Sequence, residues 1–169
     1  FTFFIGWLAL LPIVFKRGLR TLKTEAIGMH FLRACFGLGL IYTLVIALKY
    51  IPLVDAVMLN NTAPLFVPFI VYYWIGCKWN PKIWYALGLG LAGVALILKP
   101  DQGVLSWGAL IALASGVFMA FSWTSVRKLS LQEPLFRIIF YYFFFASIIT
   151  AIPLAILRPA LSWESLWQL

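Results

Sequence analysis

Asn60, Asn61 and Thr62 stand consecutively in the middle of an apolar stretch from Leu53 to Ile75, with Pro64 and Pro68 following inside the same stretch. Amides and hydroxyls at that depth can do one kind of chemistry. They donate and accept hydrogen bonds, either to a neighbouring helix or to a polar solute. Pro64 has no N–H to offer the carbonyl of Asn60, so a helix running through this stretch reaches its midpoint with an unpaired acceptor as well. Such a cluster belongs on a helix that faces protein or water. Neighbouring helical residues are about 100° apart, so one asparagine can face a central cavity while the other bonds an adjacent helix. A second reading stays open, in which both only tie helices together, because interhelical polar bonds are widespread and average about 0.6 kcal/mol. Pro64 and Pro68 likewise either bend the helix or mark the point where a gate hinges.

Two further side chains join the candidates for a solute cavity. Tyr42 lies midway along the preceding apolar segment beside Thr43, where its phenol can touch a solute or bond another helix. Arg33 lies about one turn inside the opposite boundary of that segment; it can steer an anionic group or snorkel to the surface. Catalysis and metal binding find no support. Asp55 and Asp101 both lie near the outer surface and His30 lies at the inner edge, so neither a pair of embedded carboxylates nor a base beside a buried serine is available. No His-Glu-x-x-His spacing occurs, and Cys35 and Cys77 fall on different elements. The expectation is a protein that is not an enzyme and carries no cofactor or metal.

The elements that must position these residues are membrane helices. With 64% hydrophobic and 11% charged residues in 169, the chain cannot coat a soluble globule. Segments near the ~20 residues a crossing requires read at 30–49, 53–75, 83–99, 105–126 and 135–157, and the chain opens inside a sixth at 1–15. That first run lacks an initiating methionine and a basic leader, so it reads as a truncated helix in a fragment of a longer protein rather than a signal peptide. The fold class is all-α, a polytopic helical membrane protein.

Lys16, Arg17, Arg20, Lys23, Arg33, Lys78, Lys82, Arg127, Lys128 and Arg137 fall at one side of these segments, and only Lys49, Lys99 and Arg158 at the other. The positive-inside rule then puts 16–29, 76–82 and 127–134 in the cytoplasm of a multi-pass plasma (inner) membrane protein. The net charge of +8 is spread over alternate loops with no compact domain to present it, which argues against a nucleic-acid partner. A small-molecule solute and the lipid bilayer are the expected partners, with a homodimer also open. Trp74, Trp79, Trp84 and Trp107 suit headgroup-level anchors.

Gly108, Ala112, Gly116 and Ala120 recur every four residues and predict a close helix–helix approach. Ala86 with Gly90, and Gly88 with Ala92, repeat that spacing. Gly88, Gly90 and Gly93 also fit G-x-G-x-x-G, but without the preceding strand or the ribose-binding acid that a dinucleotide site needs. Laying Pro12 on Pro153 brings Phe3-Phe4 onto Phe144-Phe145 and Arg17 onto Arg158. Five helices separate the starts of these two stretches, so they cross in opposite directions, as inverted repeats of secondary transporters do.

His30-Phe-Leu-Arg33, Ala47-Leu48-Lys49-Tyr50-Ile51-Pro52-Leu53, Asp55-Ala56, Pro64-Leu65-Phe66 and the run Gly93-Val94-Ala95-Leu96-Ile97-Leu98-Lys99-Pro100 occur in this order. In that order and spacing the chain resembles the EamA family of the drug/metabolite transporter superfamily. The resemblance implies ten helices in two inverted five-helix repeats, with residues 1–100 holding helices two to five and 104–169 opening the second repeat with helices six and seven. It also implies a secondary transporter that moves a small polar metabolite or drug-like solute by alternating access. The leading His-x-x-Arg and the Ala-Leu-x-x-x-Pro-Leu run resemble the branch that includes S-adenosylmethionine carriers. One departure is Gly76-Cys77-Lys78, where members of the family often carry Gly-Glu. With no acid visible at depth, this region points to facilitated diffusion or exchange. A non-transporting membrane scaffold or assembly subunit is the alternative.

Overall fold

The computed structural model describes residues 2–17, 22–76, 82–98 and 106–157. These form α1 (Thr2–Arg17), α2 (Ile27–Ala47), α3 (Leu53–Asn60), α4 (Ala63–Ile75), α5 (Lys82–Leu98), α6 (Trp107–Ser130) and α7 (Leu135–Leu157), with no strand among the described residues. Cys77, Lys78, Trp79, the link at 100–103 and Arg158 lie outside them. Among the described residues four stretches are long and apolar enough to cross a membrane: Ile27–Ala47, Leu53–Ile75, Trp107–Ser130 and Leu135–Ile152. At 16 and 17 residues, α1 and α5 are shorter than the usual crossing.

The stretch from Leu53 to Ile75 is not one helix with a defect at its centre, as the sequence suggested, but two helices joined by a turn at Asn61 and Thr62. The turn keeps the Val57 and Leu59 carbonyls that precede Asn60 paired. Asn61 N–H still donates to the Val57 carbonyl at 2.9 Å, and Thr62 N–H to that of Leu59 at 3.1 Å. The Thr62 hydroxyl donates to the same Leu59 oxygen at 2.7 Å. Pro64 then falls in the first turn of α4, where no backbone donor is required.

Around this break the bundle is organised by α6. Gly108, Ala112, Gly116 and Ala120 are all buried along it, together with Ser115, Ser122, Thr124 and Ser125. Ser115, Thr124 and Ser125 donate to the carbonyls of Ala112, Ala120 and Phe121 at 2.6, 2.9 and 2.7 Å, so the face can be buried without stranding those hydroxyls. α2 runs antiparallel to α6, with Phe36 stacked on Phe121 near one end and Ala47 clustered with Ala112 near the other. α3 and α4 run alongside α6 in the same direction, Leu59 meeting Ala112 and Ala63 meeting Ala120. α7 packs on α2 and α1. Its aromatic rings meet Phe3, Trp7 and Phe31. On α5, Gly90 lies directly against the Leu65 side chain of α4.

Two boundaries differ from the sequence reading by three residues or more. α2 begins at Ile27, and α6 continues to Ser130, which shortens the connection read at 127–134 to residues 131–134. Arg127 and Lys128 occupy the last turn of α6, where a cation complements the helix dipole. Lys128 also donates to the Trp74 carbonyl at 3.4 Å and lies 5.2 Å from the centre of its ring.

A Cβ on Gly116 would come within 3.0 Å of Thr62 Oγ1 and 3.1 Å of the backbone oxygens of Asn60 and Leu59. Backbone cannot rotate aside as a flexible side chain can. Gly116→Leu is expected to destabilise the bundle by about 1–3 kcal/mol, read as a lowered thermal midpoint in detergent. An unchanged midpoint would show that α6 and the turn are not held this closely.

Candidate functional site

The break places its polar groups in two environments. Asn60 is buried, its amide oxygen shares the single proton of the Ser115 hydroxyl of α6 (3.0 Å) with the Ala112 carbonyl (2.6 Å), and its amide nitrogen points at the Met119 sulfur at 3.5 Å. Thr62 is buried against Gly116. Asn61, one step round the turn, is exposed. The three polar side chains therefore divide into a docked pair and one outward amide. Pro64 is exposed and Pro68 half-buried. Tyr42 turns away from the bundle at 46% exposure, while Thr43 folds its hydroxyl back on the Gly39 carbonyl at 2.6 Å.

Arg33 does not extend to the surface. Its guanidinium donates to the Ser122 hydroxyl of α6 and lies 4.5 Å from the centre of the Tyr142 ring on α7. A half-buried cation is thus held by a hydroxyl and a π-face where three helices meet, and its Nε is buried without a hydrogen-bond partner among the described residues. Both interactions suit a guanidinium, whose planar edge donates while its face stacks. Gly37 makes room for this arrangement, since a Cβ there would meet Tyr142 Cε2 at 2.7 Å.

A third centre was not foreseen from the sequence. Glu133, in the turn between α6 and α7, is buried and accepts a hydrogen bond from His30 Nε2 at 2.5 Å, although 103 residues separate the two. The Thr24 hydroxyl donates to its other oxygen and itself accepts from Ala26 N–H at 3.0 Å. Arg137 lies 3.6 Å from the same carboxylate. His30 is fully buried with Tyr141 stacked on it at 4.7 Å, and the Tyr141 hydroxyl donates to the Leu22 carbonyl at 2.9 Å. Burial pushes the Glu133 carboxyl up. The hydrogen bonds from Thr24 and His30 and the attraction of His30 and Arg137 outweigh it and hold the carboxyl below its ordinary range. The one hint in the sequence was a carboxylate in a very short turn of a chain with only 5 acids. Nothing in residue spacing connects it to His30. Among the described residues no group of three or more His, Cys, Asp or Glu could hold a metal ion.

Apolar spans packed around a polar break, with a cation stacked at a junction of helices, define a multi-pass helical membrane protein. Residues 1–99 match the EamA-like transporter family, and the chain belongs to it. It is 28% identical over 151 residues to the pseudopaline exporter CntI of Pseudomonas aeruginosa, covering 89% of this chain and 52% of that protein. It is 27% identical over 156 residues to the S-adenosylmethionine uptake transporter of Rickettsia felis, covering 90% and 50%. It is 25% identical over 120 residues to the riboflavin transporter of Rhizobium johnstonii, covering 71% and 40%. The chain spans about half the length of the curated relatives it matches. No solved structure matches it significantly.

Because folding holds the Glu133 carboxyl below its ordinary value of 4.5, its contribution to stability is complete above that pH and is lost as pH falls through the lower folded-state value. The thermal midpoint in detergent should therefore drop on acidification below that value, and drop less in Glu133→Gln. At neutral pH the same variant should lose about 1–3 kcal/mol through the weakened partners. Identical acid sensitivity in the two proteins would contradict the assignment.

Proposed function

We propose that this chain is part of a secondary transporter that moves a small polar solute across the plasma (inner) membrane by alternating access. One observation carries the reading: a membrane-spanning stretch is broken at Asn61 and Thr62, with Asn60 docked on α6 and Asn61 left outward at the same level. Broken helices at mid-membrane are where transporters build solute sites. Membership of the EamA-like family and relatives named as transporters support it. Those relatives include both an exporter and an uptake transporter, named for different solutes. The proposal accordingly names a class of solute and no direction.

In this reading Asn61 and Arg33 contact the solute, Asn60 and Thr62 set the wall behind Asn61, and Ser122 and Tyr142 hold Arg33. Pro64 and Pro68 ease the movement of α4 against α3. The protein would contain ten helices in two inverted five-helix repeats, with 1–100 in the first and 104–169 in the second. α1 and α5 then count with the four longer spans as crossing segments. The packing of α1 on α7, the two stretches whose sequences align, is consistent with that plan. The helix ends and connections within 16–29, 76–82 and 127–134 then face the cytoplasm by their basic residues. A homodimer is compatible with this arrangement.

The test is transport by the full-length protein in liposomes, with riboflavin, S-adenosylmethionine and pseudopaline as radiolabelled probes. Asn61→Leu should lower the apparent affinity for the transported probe roughly fivefold, the equivalent of about 1 kcal/mol for one hydrogen bond. Arg33→Gln should weaken probes bearing an anionic group more than those without one. Wild-type kinetics in both variants would remove the proposed site, and no uptake of a broad solute panel by the wild type would favour a scaffold.

A further inference from the structure

His30 and Glu133 form a buried acid–base pair that the solute site does not use. The imidazole is fully buried and the carboxylate side chain is 5% exposed, yet the pair bridges the start of α2 to the turn between α6 and α7. Polar groups are rarely withdrawn from water together unless each satisfies the other. A pocket of about 530 Å³, lined by Lys23, Glu25, Ala26, Gln132, Glu133 and Arg137, opens beside them. The carboxylate is therefore out of bulk water but reachable from it.

We propose that the His30–Glu133 pair is a proton-binding site: a proton arriving through this pocket neutralises Glu133, loosens the joint between α2 and the α6–α7 turn, and so couples the transport cycle to pH. Its role in coupling rests on the transporter reading above; the existence of the site does not.

In the proposed step a hydronium ion gives its proton to a Glu133 oxygen. One O–H bond forms, water leaves, and the carboxylate charge disappears. Attraction to Arg137 goes with it. The bond from His30 Nε2–H changes from charge-assisted to neutral, which weakens it by roughly half. His30 Nδ1 is buried without a hydrogen-bond partner among the described residues, so Glu133 is the one acceptor shown for this imidazole.

Every packed element contributes to the field at Glu133. The 22–26 connection brings Lys23 and Glu25, α2 brings His30 and α7 brings Arg137, whereas Lys128 of α6 is turned to Trp74. While the joint is closed, Thr24, His30 and Arg137 favour the ionised carboxylate. Once α2 and the turn separate, those partners are gone, and whatever burial remains favours the protonated form. The proton thus binds the separated state better, and by linkage it shifts the protein toward that state.

The experiment follows Glu133 and transport separately in the reconstituted full-length protein. Difference infrared spectroscopy across a pH titration reads the carboxyl. Uptake of the same three probes at two pH values, with and without a pH gradient, reads the coupling as a ratio of rates. The wild type should show a titrating carboxyl band that is absent from Glu133→Gln. Its transport ratio should approach roughly tenfold per pH unit, the most one proton can give, and should flatten in both Glu133→Gln and His30→Gln. If no titrating band disappears with Glu133, or if Glu133→Gln keeps the wild-type ratio, the proposal is overturned. A titrating Glu133 in a protein that moves neither these probes nor any solute of the broad panel supports the proton site and overturns the coupling together with the transporter reading.

Discussion

The bundle depends on how closely α6 can approach a piece of bent backbone. At Gly116 it meets the carbonyls of Leu59 and Asn60 and the hydroxyl of Thr62 with no side chain between them. Where a bilayer surrounds the fold, a helix can be interrupted only if protein supplies what lipid does not. Here α6 supplies it with small residues for close approach and with Ser115 as the donor to Asn60. α2 closes on the other flank of the same helix through Phe36 and Ala47. The central helix is therefore also the most polar of the long ones, and it remains inside because its hydroxyls fold back onto its own carbonyls.

Two further polar centres lie toward the far end of that helix, each joining residues distant in the chain. Arg33 is held by Ser122 and Tyr142, and His30 by Glu133. Both reach from α2 across to elements near the α6–α7 hairpin. Charge-assisted and cation–π contacts are stronger where water is scarce, so they can fasten a junction that apolar packing alone would leave free to slide. They also make that junction responsive to charge, which an aromatic contact such as Phe31 with Phe145 is not.

The alignment of the first aromatic stretch with the seventh helix takes on physical content once α1 is seen against α7. Phe3 meets Tyr142 and Phe143, and Trp7 meets Phe140 and Phe144. Aromatic rings covering every side of α7 leave some facing lipid, yet Phe140 is buried and the rings that follow it are half-buried. The run is used on several faces at once, toward α1 and toward α2.

Hydrophobic run length and the placement of charge determined, from the sequence alone, that this is a multi-pass helical protein, because an apolar chain must use a bilayer as solvent and its backbone must then be helical. The position of a weak point near Asn60 was also legible, since Pro64 cannot donate to its carbonyl, but its division of the stretch into two helices was not. The small-residue stripe of α6 was legible too, because a four-residue spacing keeps residues on one face. Tertiary structure alone decided that Asn60 docks while Asn61 turns outward, that Arg33 stays inside, and that His30 finds Glu133. A hydrogen bond between residues 103 apart leaves no mark in local spacing. Partner choice for a lone polar group in an apolar chain is set by which helices happen to meet at its depth, and that is a property of packing.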